Sequence, residues 1–228
     1  MARRLGWLGP AIVLVGVLVA AAGIYLVLHN KPKPGAVIET VVVDATTSIV
    51  VRAEDGGDRA FVELHTGDEV AWQALVPPYG GRPGASGIAW NDIAVSVRVV
   101  RDGKAEVFAL SVRDASKLGG IHLGIEHGPI KKAPTGPVTL SDHIRSYELI
   151  EGDGWNQMTA IDLKTGKKLW TTELGPTAPT TGVVTGGLVR LEIAGVKHYY
   201  RVFQGKEDRS SEATGIPLVP PGVTPDTP

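Results

Sequence analysis

The chain has 228 residues, a formal net charge of −1 and no cysteine. That balance excludes the basic footprint of a nucleic-acid binder. The missing thiols exclude disulfides, thiolate metal sites, a cysteine nucleophile and lipidation at cysteine. Glycine (29) and proline (16) are frequent, which in alternating sequence marks many turns.

The first element is apolar. Leu5–Leu28 is an uncharged run of 24 residues, flanked by Arg3 and Arg4 on one side and by Lys31 and Lys33 on the other. About 20 residues cross a bilayer core as a helix, so residues 1–35 read as a transmembrane signal anchor and its linker. A cleaved signal peptide is the rival reading, with Ala20-Ala21-Ala22 as small cleavage-site residues. The length of the run favours the anchor, since cleaved signals have a core of about 7–15 residues. The flanking charges orient the N-terminus to the cytoplasm. The prolines of His29–Gly35 stop the helix.

From Ala36 onward the pattern is β. Val95, Val97 and Val99 share one face against Ser96 and Arg98, the period of a strand. Four hairpins follow in order: Ser48–Glu54 with Arg59–Leu64, Ile93–Val100 with Ala105–Val112, Ile144–Ile150 with Gln157–Leu163, and Leu188–Ala194 with Lys197–Phe203. Asp-Gly or Gly at their turns is a strong hairpin signal. Val76–Gly87 and Gly128–Pro137 read as long loops. The Ser-, Thr- and Pro-rich segment 208–228 reads as a disordered tail. The domain between them spans residues 36–207.

The hairpins carry a repeat. Thr159–Trp170 is its clear copy, Phe61–Trp72 a second, and Ala109–Leu118 a degenerate third. Their turn positions, Thr66, Asp114 and Thr165, lie 48 and 51 residues apart, a period typical of propeller blades. The motif residues Ala160, Asp162, Thr165, Gly166 and Trp170 resemble the quinoprotein-type (PQQ-like) β-propeller repeat, and Glu63, Thr66, Gly67 and Trp72 match it less closely. In the third copy Gly119 stands where Trp is expected. The resemblance implies an all-β fold of about four blades, as a small closed ring or a partial arc, with Trp72 and Trp170 as wedges between blades. It implies none of the family's quinone chemistry, which needs a larger ring. In character the chain is closer to non-catalytic members such as an outer-membrane assembly lipoprotein.

Candidate chemistry is sparse. His122, Glu126 and His127 are spaced one residue too widely for a His-x-x-Glu-His zinc pattern and have no helix to share. Lys164–Lys168 lacks the upstream glycine of a phosphate loop. Asp55, Asp58 and Asp153 are turn formers. Ser86 and Ser141-Asp142-His143 make no nucleophile motif. We therefore expect no catalytic residue, no metal and no cofactor. Tyr79, Arg82 and Trp90 are the residue types of an interface hot spot. The reading is a non-enzymatic, membrane-anchored scaffold or interaction subunit of a bacterial envelope complex. Its domain would be periplasmic or extracellular, and its partner a protein or a second copy, with no nucleic acid. The alternative is a small-ligand-binding or sensory propeller.

Overall fold

The computed structural model describes residues 31–208, apart from 83, 125–126 and 132–134. The apolar segment 1–30, Glu126 and the tail beyond 208 lie outside the described residues. Among the described residues no helix is long and apolar enough to cross a membrane.

Four antiparallel meanders follow one another. The first sheet is β1 (Pro34–Val42), β2 (Thr47–Glu54), β3 (Ala60–Thr66) and β4 (Glu69–Val76). The second is β5 (Ile88–Trp90), β6 (Ala94–Arg101), β7 (Lys104–Ser111) and β8 (Lys117–Leu123). The third is β9 (Thr139–Ser141), β10 (Arg145–Gly152), β11 (Trp155–Asp162) and β12 (Lys167–Gly175). The fourth has three strands, β13 (Pro179–Thr185), β14 (Leu188–Ile193) and β15 (Val196–Arg201). Each expected hairpin is the second-to-third strand pair of one sheet. β1 begins at Pro34, inside the stretch read as linker, where Asp55 N–H bonds the Lys33 carbonyl at 2.9 Å.

Two kinds of turn recur. After the first strand of sheets one to three, an Asx side chain accepts the N–H groups two and three residues on. Asp44 takes Thr46 and Thr47 (2.7 and 2.8 Å), Asn91 takes Ile93 and Ala94 (both 2.9 Å), and Asp142 takes Ile144 and Arg145 (3.0 and 2.8 Å). This removes two donors that a tight turn would otherwise leave open.

After the third strand of sheets two to four, a wider turn closes through Ala115, Gly166 and Gly205. Their N–H groups bond the carbonyls of Ser111, Asp162 and Arg201 at 2.8–2.9 Å. All three residues have positive φ (59°, 64° and 64°), which only the glycines adopt without steric cost.

Sheet one differs. Thr66 pairs directly with Glu69 across Gly67 and Asp68, so its Thr-Gly pair forms a shorter turn than Thr165-Gly166. Asp162 closes the longer loop by accepting Thr165 N–H and Oγ1–H at 2.8 and 2.7 Å. Glu63, at the matching motif position, is engaged by other side chains. The two turns therefore part company although the motif is shared.

The core is built between sheets. One cluster joins sheets one and two through residues such as Ile49, Val62, Trp72, Val95 and Val97. A second joins two and three through Ala105, Val107, Ile150 and Ile161. A third joins three and four through Tyr147, Met158, Leu191 and Val202. Among the described residues no core cluster joins sheet four to sheet one. Among the described residues the core clusters thus link the four sheets as an arc in chain order.

Candidate functional sites at the sheet junctions and the open ends

Trp72 and Trp170 occupy equivalent places. In its own sheet Trp72 lies opposite Leu64, and Trp170 opposite Ala160, with a β-bulge on the turn side of each. Each indole N–H reaches the next sheet and donates to the first residue of its wide turn. Trp72 Nε1 is 2.6 Å from Val112 O, and Trp170 Nε1 is 2.8 Å from Val202 O. A large apolar body with one satisfied polar tip suits this place, where a ring must be buried beside a carbonyl.

Gly119 takes the same place in sheet two, opposite Ala109 with the same bulge. A β-carbon there would overlap the Thr165 carbonyl oxygen and crowd Gly166. Sheets two and three therefore meet backbone to backbone where the other junctions carry a Trp. Gly119→Ala is expected to lower the unfolding free energy by about 1–3 kcal/mol, the usual range for overpacking. Urea unfolding of the full-length chain followed by far-UV circular dichroism checks it.

The same junction holds a buried ion pair. Arg98 and Glu148 are 1% and 0% exposed. Arg98 Nη1 donates to the carbonyls of Val138 (3.0 Å) and Leu149 (2.6 Å), and stands 3.8 Å from Glu148 Oε2. Glu148 Oε2 also accepts Thr139 Oγ1–H at 2.8 Å. Arg98 Nε and Glu148 Oε1 have no hydrogen-bond partner among the described residues. Burial pushes the Glu148 carboxyl from its ordinary 4.5 up to about 7, against the attraction of Arg98. Burial also lowers the Arg98 guanidinium from its usual range.

The outer face of sheet one is unlike that of sheet four. Register places Val37, Arg52, Phe61 and Leu75 in one row, and Thr40, Val50, Glu63 and Gln73 in the next. Glu63 is the centre of this face. It accepts Arg52 Nε–H (3.0 Å) and Gln73 Nε2–H (2.7 Å), and lies 2.8 Å from His65 Nε2. Burial works to raise its carboxyl, but the bonds from His65, Gln73 and Arg52 outweigh it and hold the group below its usual value. Around this centre Val37, Val42, Val70 and Leu75 are exposed. On sheet four the outward rows are instead Thr185, Leu188 and Arg201; Val183, Arg190 and Tyr199; and Thr181, Glu192 and Lys197.

The three residues expected at an interface are not brought together. Tyr79 is half-buried, bridged to Val99, donates its hydroxyl to Glu39 and accepts Gly87 N–H at 2.8 Å. Burial and Glu39 raise its phenol above the ordinary value. Arg82 sits in the same loop, its N–H on the Ala85 carbonyl at 3.0 Å. Trp90 ends β5 opposite Val95, four residues down β6 from Val99 and so roughly 13 Å away. It stands edge-on to His143, with ring centroids 5.5 Å apart.

The other candidates also separate. His122 lies 3.9 Å from Glu106, whereas His127 stacks on Trp155 and contacts Glu173. Ser86 Oγ accepts Ile88 N–H, and Asp142 serves its turn. No group of three or more potential metal ligands occurs among the described residues.

No protein-family model and no curated protein matches the sequence. Solved structures do resemble the fold. A europium-containing methanol dehydrogenase is 14% identical, with a TM-score of 0.53 over 78% of this chain and 42% of that one. The computationally designed Ika4 protein is 12% identical, with a TM-score of 0.50 over 74% of this chain and 92% of that one. BamB from Moraxella catarrhalis is 11% identical, with a TM-score of 0.49 over 75% of this chain and 48% of that one. The chain thus spans less than half the length of the dehydrogenase and of BamB. The fold is β-propeller-like.

Proposed function

We propose that the chain is a non-enzymatic scaffold or interaction subunit of a cell-envelope complex, held in the inner membrane by its N-terminal apolar segment with the sheets outside the cytoplasm. The observation that carries this is the outer face of sheet one. Val42 is 72% exposed, Val37 and Val70 are each 50% exposed, and Leu75 is 38% exposed, all on one sheet face. These side chains stand on the two edge strands, β1 and β4, on either side of the polar centre at Glu63, and exposed apolar groups around a polar centre suit a protein-docking face. The charged outer face of sheet four suits contact with water instead. Anchoring rests on the length of the uncharged run and its basic flanks.

The test is capture from cross-linked membranes using the full-length tagged chain. We expect the wild type to recover a recurrent envelope protein, and the double variant Val42→Asp/Leu75→Asp to lose it with the fold intact. Recovery unchanged by that variant would reject this face. Light scattering showing a concentration-dependent dimer would reassign it to a second copy. Protease protection in intact cells tests the orientation.

A further inference from the structure

A cleft of about 260 Å³ lies between sheets one and two. It is lined by Ile49, Leu64, Val95, Val112 and Trp90, and by polar groups that include Asp44 and Asp92. The repeat itself indicates what belongs there. Strand register aligns Ile49 with Tyr147, since each lies five residues after the Asx residue of its turn and faces the third strand, Ile49 opposite Leu64 and Tyr147 opposite Ala160. By the same register Val95, Val112 and Trp90 correspond to Val189, Val202 and Val184. All three of these belong to the cluster around Tyr147.

At the junction of sheets three and four, therefore, the equivalent space is filled from within. The Tyr147 ring lies 5.8 Å from Trp170, and its hydroxyl donates to Asp142 Oδ2 at 2.7 Å. Asp142 Oδ1 meanwhile holds the turn. At the junction of sheets one and two, Ile49 stops short of that position. Asp44 keeps the matching turn through Oδ1. Arg145, which reaches Asp142 at the other junction, is replaced by Thr47. The cleft has the place of the phenol, the turn carboxylate and the Trp wedge, without a tyrosine to fill it.

We propose that this cleft binds a small aromatic molecule bearing a phenolic hydroxyl, its ring between Ile49 and the wall of sheet two and its hydroxyl on the Asp44 carboxylate. An apolar cavity of about 150 Å³ suffices for benzene, so the volume admits a substituted ring. Asp44, Thr47, Asn91 and Asp92 give the apolar lining its polar groups, and a few such groups set orientation and selectivity. The site goes beyond the docking function and stands without it.

The test is ¹⁹F NMR titration of the full-length chain in lipid nanodiscs with 4-fluorophenol and with fluorobenzene, using empty nanodiscs to subtract partition into lipid. We expect saturable binding of 4-fluorophenol at least tenfold tighter than that of fluorobenzene. Asp44→Asn should shrink that ratio to below threefold. Ile49→Tyr supplies the missing phenol in cis and should abolish binding while raising the melting temperature. Val43→Phe, which fills the cleft from its half-exposed rim, serves where Ile49→Tyr does not fold. Absence of saturable binding to the wild type, equal affinity for the two probes, or binding that persists in a folded filling variant would overturn the proposal.

Discussion

Trp72→Ala is expected to lower the unfolding free energy by about 3–5 kcal/mol, the cost of truncating a large core aromatic. Trp72 is 8% exposed and sits in the cluster that joins sheets one and two. Truncation opens a void in the cluster that Trp72 shares with Ile49, Leu64, Val95 and Val97 between the two sheets. It also strips the Val112 carbonyl of its 2.6 Å donor. Trp72→Phe keeps one aromatic ring but loses the rest of the indole and its N–H, so the lost hydrogen bond should add about 1 kcal/mol to a smaller packing loss. Trp170→Ala should fall at the lower end of the same range, since Trp170 is less completely covered. Urea unfolding of the full-length chain, followed by far-UV circular dichroism, measures all three. A loss below about 1 kcal/mol for Trp72→Ala would show that sheets one and two are held together by something other than this wedge.

Arg98→Met should be costly at pH 8 and much milder at pH 5. Removing one member of a buried pair leaves the other charge uncompensated, a loss of about 3–5 kcal/mol. At pH 8 the wild-type Glu148 is ionised, and without Arg98 the buried carboxyl must either stay charged and unpaired or take up a proton at a free-energy cost. At pH 5 it holds a proton, and only the two bonds from Arg98 to the Val138 and Leu149 carbonyls are forfeited.

The wild type carries a related slope. The Glu148 carboxyl rises from 4.5 in the unfolded chain to about 7 in the folded one. Its contribution to stability is therefore complete below 4.5 and disappears as pH climbs through 7, about 3 kcal/mol in all. Carboxylates held low, such as Glu63 and Asp142, act in the opposite sense and fade as pH falls. The Glu148 share is thus read as the difference between wild type and Glu148→Gln. A difference that does not change between pH 4.5 and 7.5 would mean that Arg98 keeps Glu148 ionised throughout.

Much of the fold was legible. The four hairpins follow from two-residue alternation, a local signal, whereas the expected places of Trp72 and Trp170 and the departure at Gly119 come from the repeat and the family motif that it resembles. What escaped was whatever depends on the neighbouring sheet. Ser96 and Arg98 alternate with valines and read as the wet side of a strand, yet β6 is covered on both faces and Arg98 is sealed against β10. Tyr147 and Ile49 look unremarkable singly, and their relation appears only when strand register aligns them. The Asx turns at Asp44, Asn91 and Asp142 are 47 and 51 residues apart, close to the repeat period. That spacing was an available signal, obscured by the ordinariness of Asp and Asn in turns. Tyr79, Arg82 and Trp90 were grouped by composition, which cannot separate the two ends of a strand.

The unequal junctions divide the arc into two lobes. Sheets one and two are pinned by one indole, and sheets three and four by the other. Between them the middle seam sets Gly119 against a backbone turn, beside the apolar cluster of Ala105, Val107, Ile150 and Ile161, and encloses a carboxylate that resents losing its proton. Rising pH therefore loads the middle seam through Glu148, a charge that the two Trp-pinned junctions do not share.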